Sequence, residues 1–271
     1  MVLGVDIGGT KIATGLVNER AEVSRGRSVP TLANQGYDVS IRQVWEAIAE
    51  SIPGDVKAIG ICAPGPLNPK TGVVLNPPNL PGWRNVALRE MAEARFGLPV
   101  RVENDCNAAG LAEARFGAAK GCSSVFYAAI GTGIGSGIIL DGKIYHGKNG
   151  AAAEGGHVSI DYRSATVCRC GSRGCIEALA SGHVLDKGSY DLNEIALQLG
   201  AWLGSVVSLL DPDIIVIGGG VSKIGEPLFE KLRAIVPSRT VNPHASGLPI
   251  VPAKFGAEAG IVGAAAVVMG A

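Results

Sequence analysis

Two α/β halves facing each other across a cleft are the fold class this sequence predicts, and three observations carry it. Apolar runs of strand length alternate with stretches of helix length and helical periodicity. A strand, a tight glycine turn and a second strand open the chain over residues 2–17, and the same order returns over residues 124–140. The 39 glycines, about twice the average share, gather in loops instead of repeating at a fixed period.

Each element can be argued in order. Residues 2–7 read as a buried strand, and Gly8-Gly9-Thr10 is too short for a crossover helix. The strand around residues 13–17 therefore returns as a hairpin, with a third strand over 22–27. An amphipathic helix over 40–52 and a buried strand over 56–62 follow. Prolines fix the loops at 63–66 and 76–82. A helix over 86–96, a strand over 100–103 and a helix starting near Asp105 complete this half. Strands over 124–130 and 136–140 flank a glycine-rich turn, and residues 146–176 lack periodicity. A strongly apolar helix over 192–210 ends at Asp211-Pro212. The strand over 214–217 opens onto Gly218-Gly219-Gly220, with a helix after it, and an Ala-rich helix covers 258–269.

Composition narrows the function. Lys plus Arg equals Asp plus Glu at 24 each. A nucleic acid partner is not expected, because phosphate-backbone binding calls for an excess of basic side chains. No basic n-region precedes the first strand, and no apolar run approaches the ~20 residues of a membrane span. The chain is therefore read as cytoplasmic and without a membrane partner. Of six cysteines, three are scattered and Cys168, Cys170 and Cys175 are bunched, which in such a chain suggests a metal and not disulfides.

Three glycine loops follow apolar strands. In the first, Asp6 stands at a strand end before Gly8, Gly9, Thr10 and Lys11. A turn without side-chain bulk lets backbone N–H groups approach phosphate oxygens, although it also suits a plain hairpin. Asp6 is placed to hold Mg²⁺ through water, with Thr10 and Lys11 toward the transferred group. The second loop, Gly131-Thr132-Gly133-Ile134-Gly135-Ser136-Gly137, carries more glycine than a hairpin needs, and close approach of a ligand would explain it. The third, through Gly219 and Gly220, suits a nucleotide against backbone or a simple strand–helix turn. Together the three loops argue for phosphate more strongly than any one.

Glu103-Asn104-Asp105 lies between a strand and a helix start. Asp105 suits an N-cap, and it equally suits a base that takes a proton from a hydroxyl attacking phosphorus. His157, Cys168, Cys170 and Cys175 match a four-ligand structural zinc set, with all four positions filled by protein. Such a site would stiffen the long loop that carries Glu154 and Glu177.

These residues together resemble one family, the ROK sugar kinases, and within it the bacterial glucokinases. The most specific part is Glu154-Gly155-Gly156-His157 followed by Cys168-Arg169-Cys170-Gly171-Ser172-Arg173-Gly174-Cys175-Ile176-Glu177. The first and second glycine loops resemble the phosphate motifs of the actin-like ATPases, and the third their adenosine motif. The resemblance implies an actin-like, ribonuclease H-like fold. Residues 1–104 would form a small domain, with helix 258–271 packing back on it. Residues 105–257 would form a large one, with a zinc loop over 154–177. It implies an ATP-dependent hexokinase using MgATP, with Asp105 as base. The phosphates would lie on Asp6, Gly8, Gly9, Thr10, Lys11, Gly131, Thr132 and Gly133, with Gly219 and Gly220 at the adenosine. Gly65, Asn79, Asn104, Asp105, Glu154, His157 and Glu177 would contact the sugar, and His157 would also serve the zinc. Asn79 has the glucokinase form, so glucose is the expected hexose. A homodimer or homotetramer is implied. Two positions depart from the family pattern: Ser136 stands where glycine is usual, and Gly155 where a branched apolar residue is usual. The stretch between Gly182 and Asp191 is also shorter than in typical members. A sugar-responsive regulator of the same family would need a DNA-binding segment before Asp6, for which there is no room.

Overall fold

The computed structural model describes residues 1–182 and 190–269. Two five-stranded sheets organise the chain, and each has the same plan. The first runs β3 (Val23–Pro30), β2 (Lys11–Val17), β1 (Val2–Ile7), β4 (Ile59–Ala63), β7 (Val100–Asn104) across the sheet. The second runs β10 (Lys143–Ile144), β9 (Ile134–Leu140), β8 (Ser124–Ile130), β11 (Ile214–Gly218), β12 (Ile250–Pro252). In both, an antiparallel three-strand meander leads and two parallel strands follow. The repeat read in the sequence is thus a repeat of topology. The two short strands β5 (Leu67–Asn68) and β6 (Val73–Val74) form a separate ribbon that the sequence did not signal.

Helix α1 (Tyr37–Ala49) covers the first sheet. Its buried Ile41, Val44, Trp45 and Ile48 recur at helical spacing. Buried Ser40 on the same face accepts from the indole N–H of Trp83 at 2.8 Å. Helix α2 (Leu88–Phe96) closes the same core. On the second sheet lie the short α4 (Ile176–Ala180), α5 (Leu192–Leu210) and α6 (Glu226–Ile235), which bury Ile176, Trp202, Leu203, Leu228, Phe229 and Leu232. Helix α5 overturns one expectation. Its 19 residues are long and apolar enough to cross a membrane by length and composition. Here one face packs in the core of the second sheet, so its apolarity serves that core.

The other two long helices exchange places. Helix α3 (Asp105–Phe116) leaves the end of the first sheet and packs on the second. A Cβ on Gly137 of β9 would stand 2.9 Å from the carbonyl oxygen of Cys106 in α3. Helix α7 (Ala259–Met269) leaves the end of the second sheet and packs on the first. There a Cβ on Gly60 would stand 1.8 Å from the carbonyl oxygen of Ala264. The two helices touch where Gly263 meets the backbone of Ala108. Small residues allow backbones to approach this closely, and the layers run sheet, α7, α3, sheet. Both crossovers start near Asp6, with Gly260 against its carboxylate and Asp105 close enough to sense its charge.

Boundaries moved slightly. Helix α1 starts three residues earlier than expected, β3 extends to Pro30, and β9 begins at Ile134. The glycines after β11 lead first into a 3-10 turn over Gly220–Ile224 before α6 begins. Of the shortened stretch between Gly182 and Asp191, residues 183–189 lie outside the described residues.

Candidate active site

At the end of β1, Asp6 is half-buried, with Gly260 of the second crossover directly against it: a Cβ there would meet Asp6 Oδ2 at 2.2 Å. The thiol of Cys62 donates to Asp6 Oδ1 at 3.4 Å. Burial pushes the Asp6 carboxyl upward, with the Cys62 bond and the Lys11 charge acting in the opposite direction. The Gly8–Lys11 turn is closed by Gly8 N–H donating to the Lys11 carbonyl at 2.9 Å. Gly9 lies against the Asn79 backbone, where a Cβ would come within 2.7 Å of the carbonyl oxygen. Thr10 and Lys11 face solvent. Asn79 and the first glycine turn, far apart in sequence, are therefore neighbours.

The second and third glycine loops also meet. Gly219 has φ 83, and a Cβ there would stand 2.4 Å from the carbonyl oxygen of Ile130, at the last residue before Gly131. Gly131 and Gly220 have nothing within 4 Å of where a Cβ would be. The rest of the second loop has a different reason for its glycines. A Cβ on Gly133 would strike Glu177 Oε2 at 2.5 Å, and one on Gly135 would strike Cys106 Sγ at 2.3 Å. Gly137 is occupied by α3 as described. Ligand approach therefore does not account for the whole run, as the sequence suggested; only Gly131 faces open space.

The β7–α3 junction supplies two polar side chains. Asn104, not Asp105, is the N-cap: its Oδ1 accepts from Cys106 N–H at 2.9 Å and Asn107 N–H at 3.1 Å. Asp105 is the first residue of the helix, and its Oδ1 accepts from Cys106 N–H at 2.8 Å. Its carboxyl is pushed up to about 6, chiefly by burial and next by the negative charge of Asp6. The two carboxylates therefore sense one another. Glu103, 3% exposed, supports the junction from behind. It accepts from Asn104 N–H and Asn107 Nδ2 and meets His146 Nε2 at 2.7 Å. His146, just after β10, carried no signal in the sequence.

Gly65 closes the group. A Cβ there would lie 3.4 Å from Asn104 Nδ2 and 4.0 Å from Glu154 Oε1. Glu154 is exposed and its carbonyl accepts from His157 N–H at 3.1 Å. Gly65, Asn104 and Glu154 thus converge, with Asp105 next along the chain, while one carboxylate oxygen of Glu177 is engaged with the second glycine loop. Its Oε2 accepts from Ile134 N–H at 2.9 Å, bracing the second glycine loop.

His157, Cys168, Cys170 and Cys175 come together with their ligand atoms all within 4.8 Å of one another. Cys170 and Cys175 sulfurs are 3.7 Å apart, far beyond the about 2.05 Å of a disulfide. His157 Nδ1 is 3.6 Å from Cys168 Sγ. Metal bonds of about 2.3 Å to sulfur and about 2.0–2.1 Å to nitrogen place tetrahedral ligands roughly 3.6–3.8 Å apart, so these four fit such an ion. Because Nδ1 faces the cluster, Nε2 of His157 is left for another partner.

The ROK family model matches residues 2–191 and 187–271. The chain belongs to the ROK family. A glucokinase of Streptomyces coelicolor is 34% identical, over 98% of this chain and 96% of that protein. The crystal structure of a ROK family glucokinase from Streptomyces griseus, in complex with glucose and AMPPNP, superposes with a TM-score of 0.84 at 35% identity, covering 98% of both chains. An N-acetylmannosamine kinase from Salmonella heidelberg is 29% identical over 99% of this chain and 98% of its own. Within this ROK chain, Cys62, Cys106, Glu103 and His146 are site-lining or supporting residues that sequence reasoning did not single out for a role.

Proposed function

We propose that this ROK protein transfers the γ-phosphoryl group of ATP to the 6-hydroxyl of a hexose, and likeness to the glucokinases supports glucose as that hexose. The observation that carries the reading is the convergence of Asn104, Glu154 and Gly65, with Asp105 next along the chain, beside Asp6 and the glycine turns. Neutral hydroxyls would be met by Asn104, Glu154 and the free Nε2 of His157, with Asn79 and Glu177 bordering the sugar. The ATP phosphates would lie along Gly8–Lys11 and Gly131, with Gly219 and Gly220 at the adenosine end. Asp105 would take the proton as the hydroxyl oxygen attacks phosphorus. A carboxyl near 6 is ionised at neutral pH yet basic enough to hold that proton. Mg²⁺ held by Asp6 through water would supply charge neutralisation at the phosphates. Structural Zn²⁺ on His157, Cys168, Cys170 and Cys175 would fix the loop bearing Glu154. The neutral overall charge favours ATP over a polyphosphate chain as donor.

The test is ADP release measured across glucose, mannose, fructose and N-acetylated hexoses. Glucose should give the highest kcat/KM, and Asp105→Asn should remove turnover by at least about a thousandfold while sugar binding persists. Near-normal turnover in that variant would refute Asp105 as base, and an N-acetylated sugar leading the panel would refute glucose. Metal analysis should find one zinc per chain, lost in Cys175→Ser.

A further inference from the structure

We infer that Ser136 is a positioning residue for Glu154, acting through both peptide groups that flank it; this rests on the sugar kinase reading. Ser136 lies in the middle of β9 and is 3% exposed. Its hydroxyl donates to the carbonyl of Ala153 at 2.6 Å and accepts from the N–H of Gly155 at 3.1 Å. A single buried oxygen therefore holds the residue before Glu154 and the residue after it.

The segment needs holding. Ala153 has φ 67, a left-handed conformation that a residue with a Cβ seldom adopts unsupported. The bond to its carbonyl fixes the peptide plane leading into Glu154. On the other side, a Cβ on Gly155 would stand 2.5 Å from Ser136 Oγ and 3.1 Å from Cζ2 of Trp202. Position 155 must then be glycine because the hydroxyl occupies the space. The two departures noted in the sequence, at 136 and 155, are thus one arrangement. Since β9 begins at Ile134, whose N–H is held by Glu177, the clamp also ties Glu154 to the second glycine loop. Among the described residues the Glu154 side chain makes no hydrogen bond, so its direction depends on its backbone.

Steady-state kinetics on the zinc-loaded enzyme test this. Ser136→Ala keeps the volume and removes both bonds, leaving Ala153 C=O and Gly155 N–H without that partner. The hexose KM should rise roughly tenfold, with the ATP KM changed less than about twofold and the thermal melt still cooperative. Gly155→Val should be severely impaired. Adding Ser136→Gly to it removes the closest contact, with the hydroxyl at 2.5 Å, and should recover at least about tenfold in kcat/KM for the hexose. Should Ser136→Ala not fold, this pair alone decides. An unchanged hexose KM in folded Ser136→Ala, an equal rise in both KM values, or a double variant no better than Gly155→Val would each overturn the inference. A wild-type enzyme without hexose-dependent ADP release would instead sink the kinase reading itself.

Discussion

Asp105 has an environment that works against its own charge. Burial and the nearby Asp6 raise its carboxyl from 3.8 to about 6. The protonated form is thus favoured in the folded chain, and the stability this gives is fully present below about pH 4 and lost as pH rises through about 6. Asparagine mimics the protonated form at every pH. Asp105→Asn should therefore match the ligand-free wild type near pH 4 and exceed it by about 1–2 kcal/mol at pH 8, after allowing for partial solvent access. Chemical denaturation at the two pH values checks this, and equal stability at pH 8 would contradict it. The sequence identified the Asn104-Asp105 pair but offered Asp105 as the cap of α3, since both types cap well. The choice falls to Asn104 because it keeps the extended backbone of β7, with φ −66 and ψ 143.

Among the elements, the glycines divide into two kinds that look alike in a sequence. Gly60 sits mid-strand beneath α7, and a methyl there would displace backbone at 1.8 Å. Gly60→Ala should cost about 3 kcal/mol or more, or prevent folding. Gly131 has open space and no positive φ, so Gly131→Ala should leave stability within about 1 kcal/mol. On the kinase reading it should raise the ATP KM more than the hexose KM. Thermal melts beside kinetics separate the two cases, and a Gly131→Ala protein that melts early would show a packing role instead. The loops themselves were legible because each follows an apolar strand. That Gly133, Gly135 and Gly137 serve Glu177 and α3 was not, because those partners lie tens of residues away. That His157, Cys168, Cys170 and Cys175 come together was legible, since all four fall within one short stretch.

For the whole molecule, the doubled α/β plan could be read from local order alone, as each hairpin is a neighbour contact. The exchange of α3 and α7 between sheets could not, because it rests on pairs such as Gly4 with Ile261 and Ala108 with Gly263. Nor could the Glu103–His146 pair, which joins the end of the first sheet to the segment after β10. Such long-range contacts leave only small residues or an isolated histidine as trace. The placing of α7 also governs how the chain can be made. During synthesis the first sheet emerges early, yet the helix that covers Gly4 and Gly60 is translated after every strand of the second. The second sheet can assemble on the ribosome while the first waits with one apolar face bare, so completion of the first sheet's core follows that of the second.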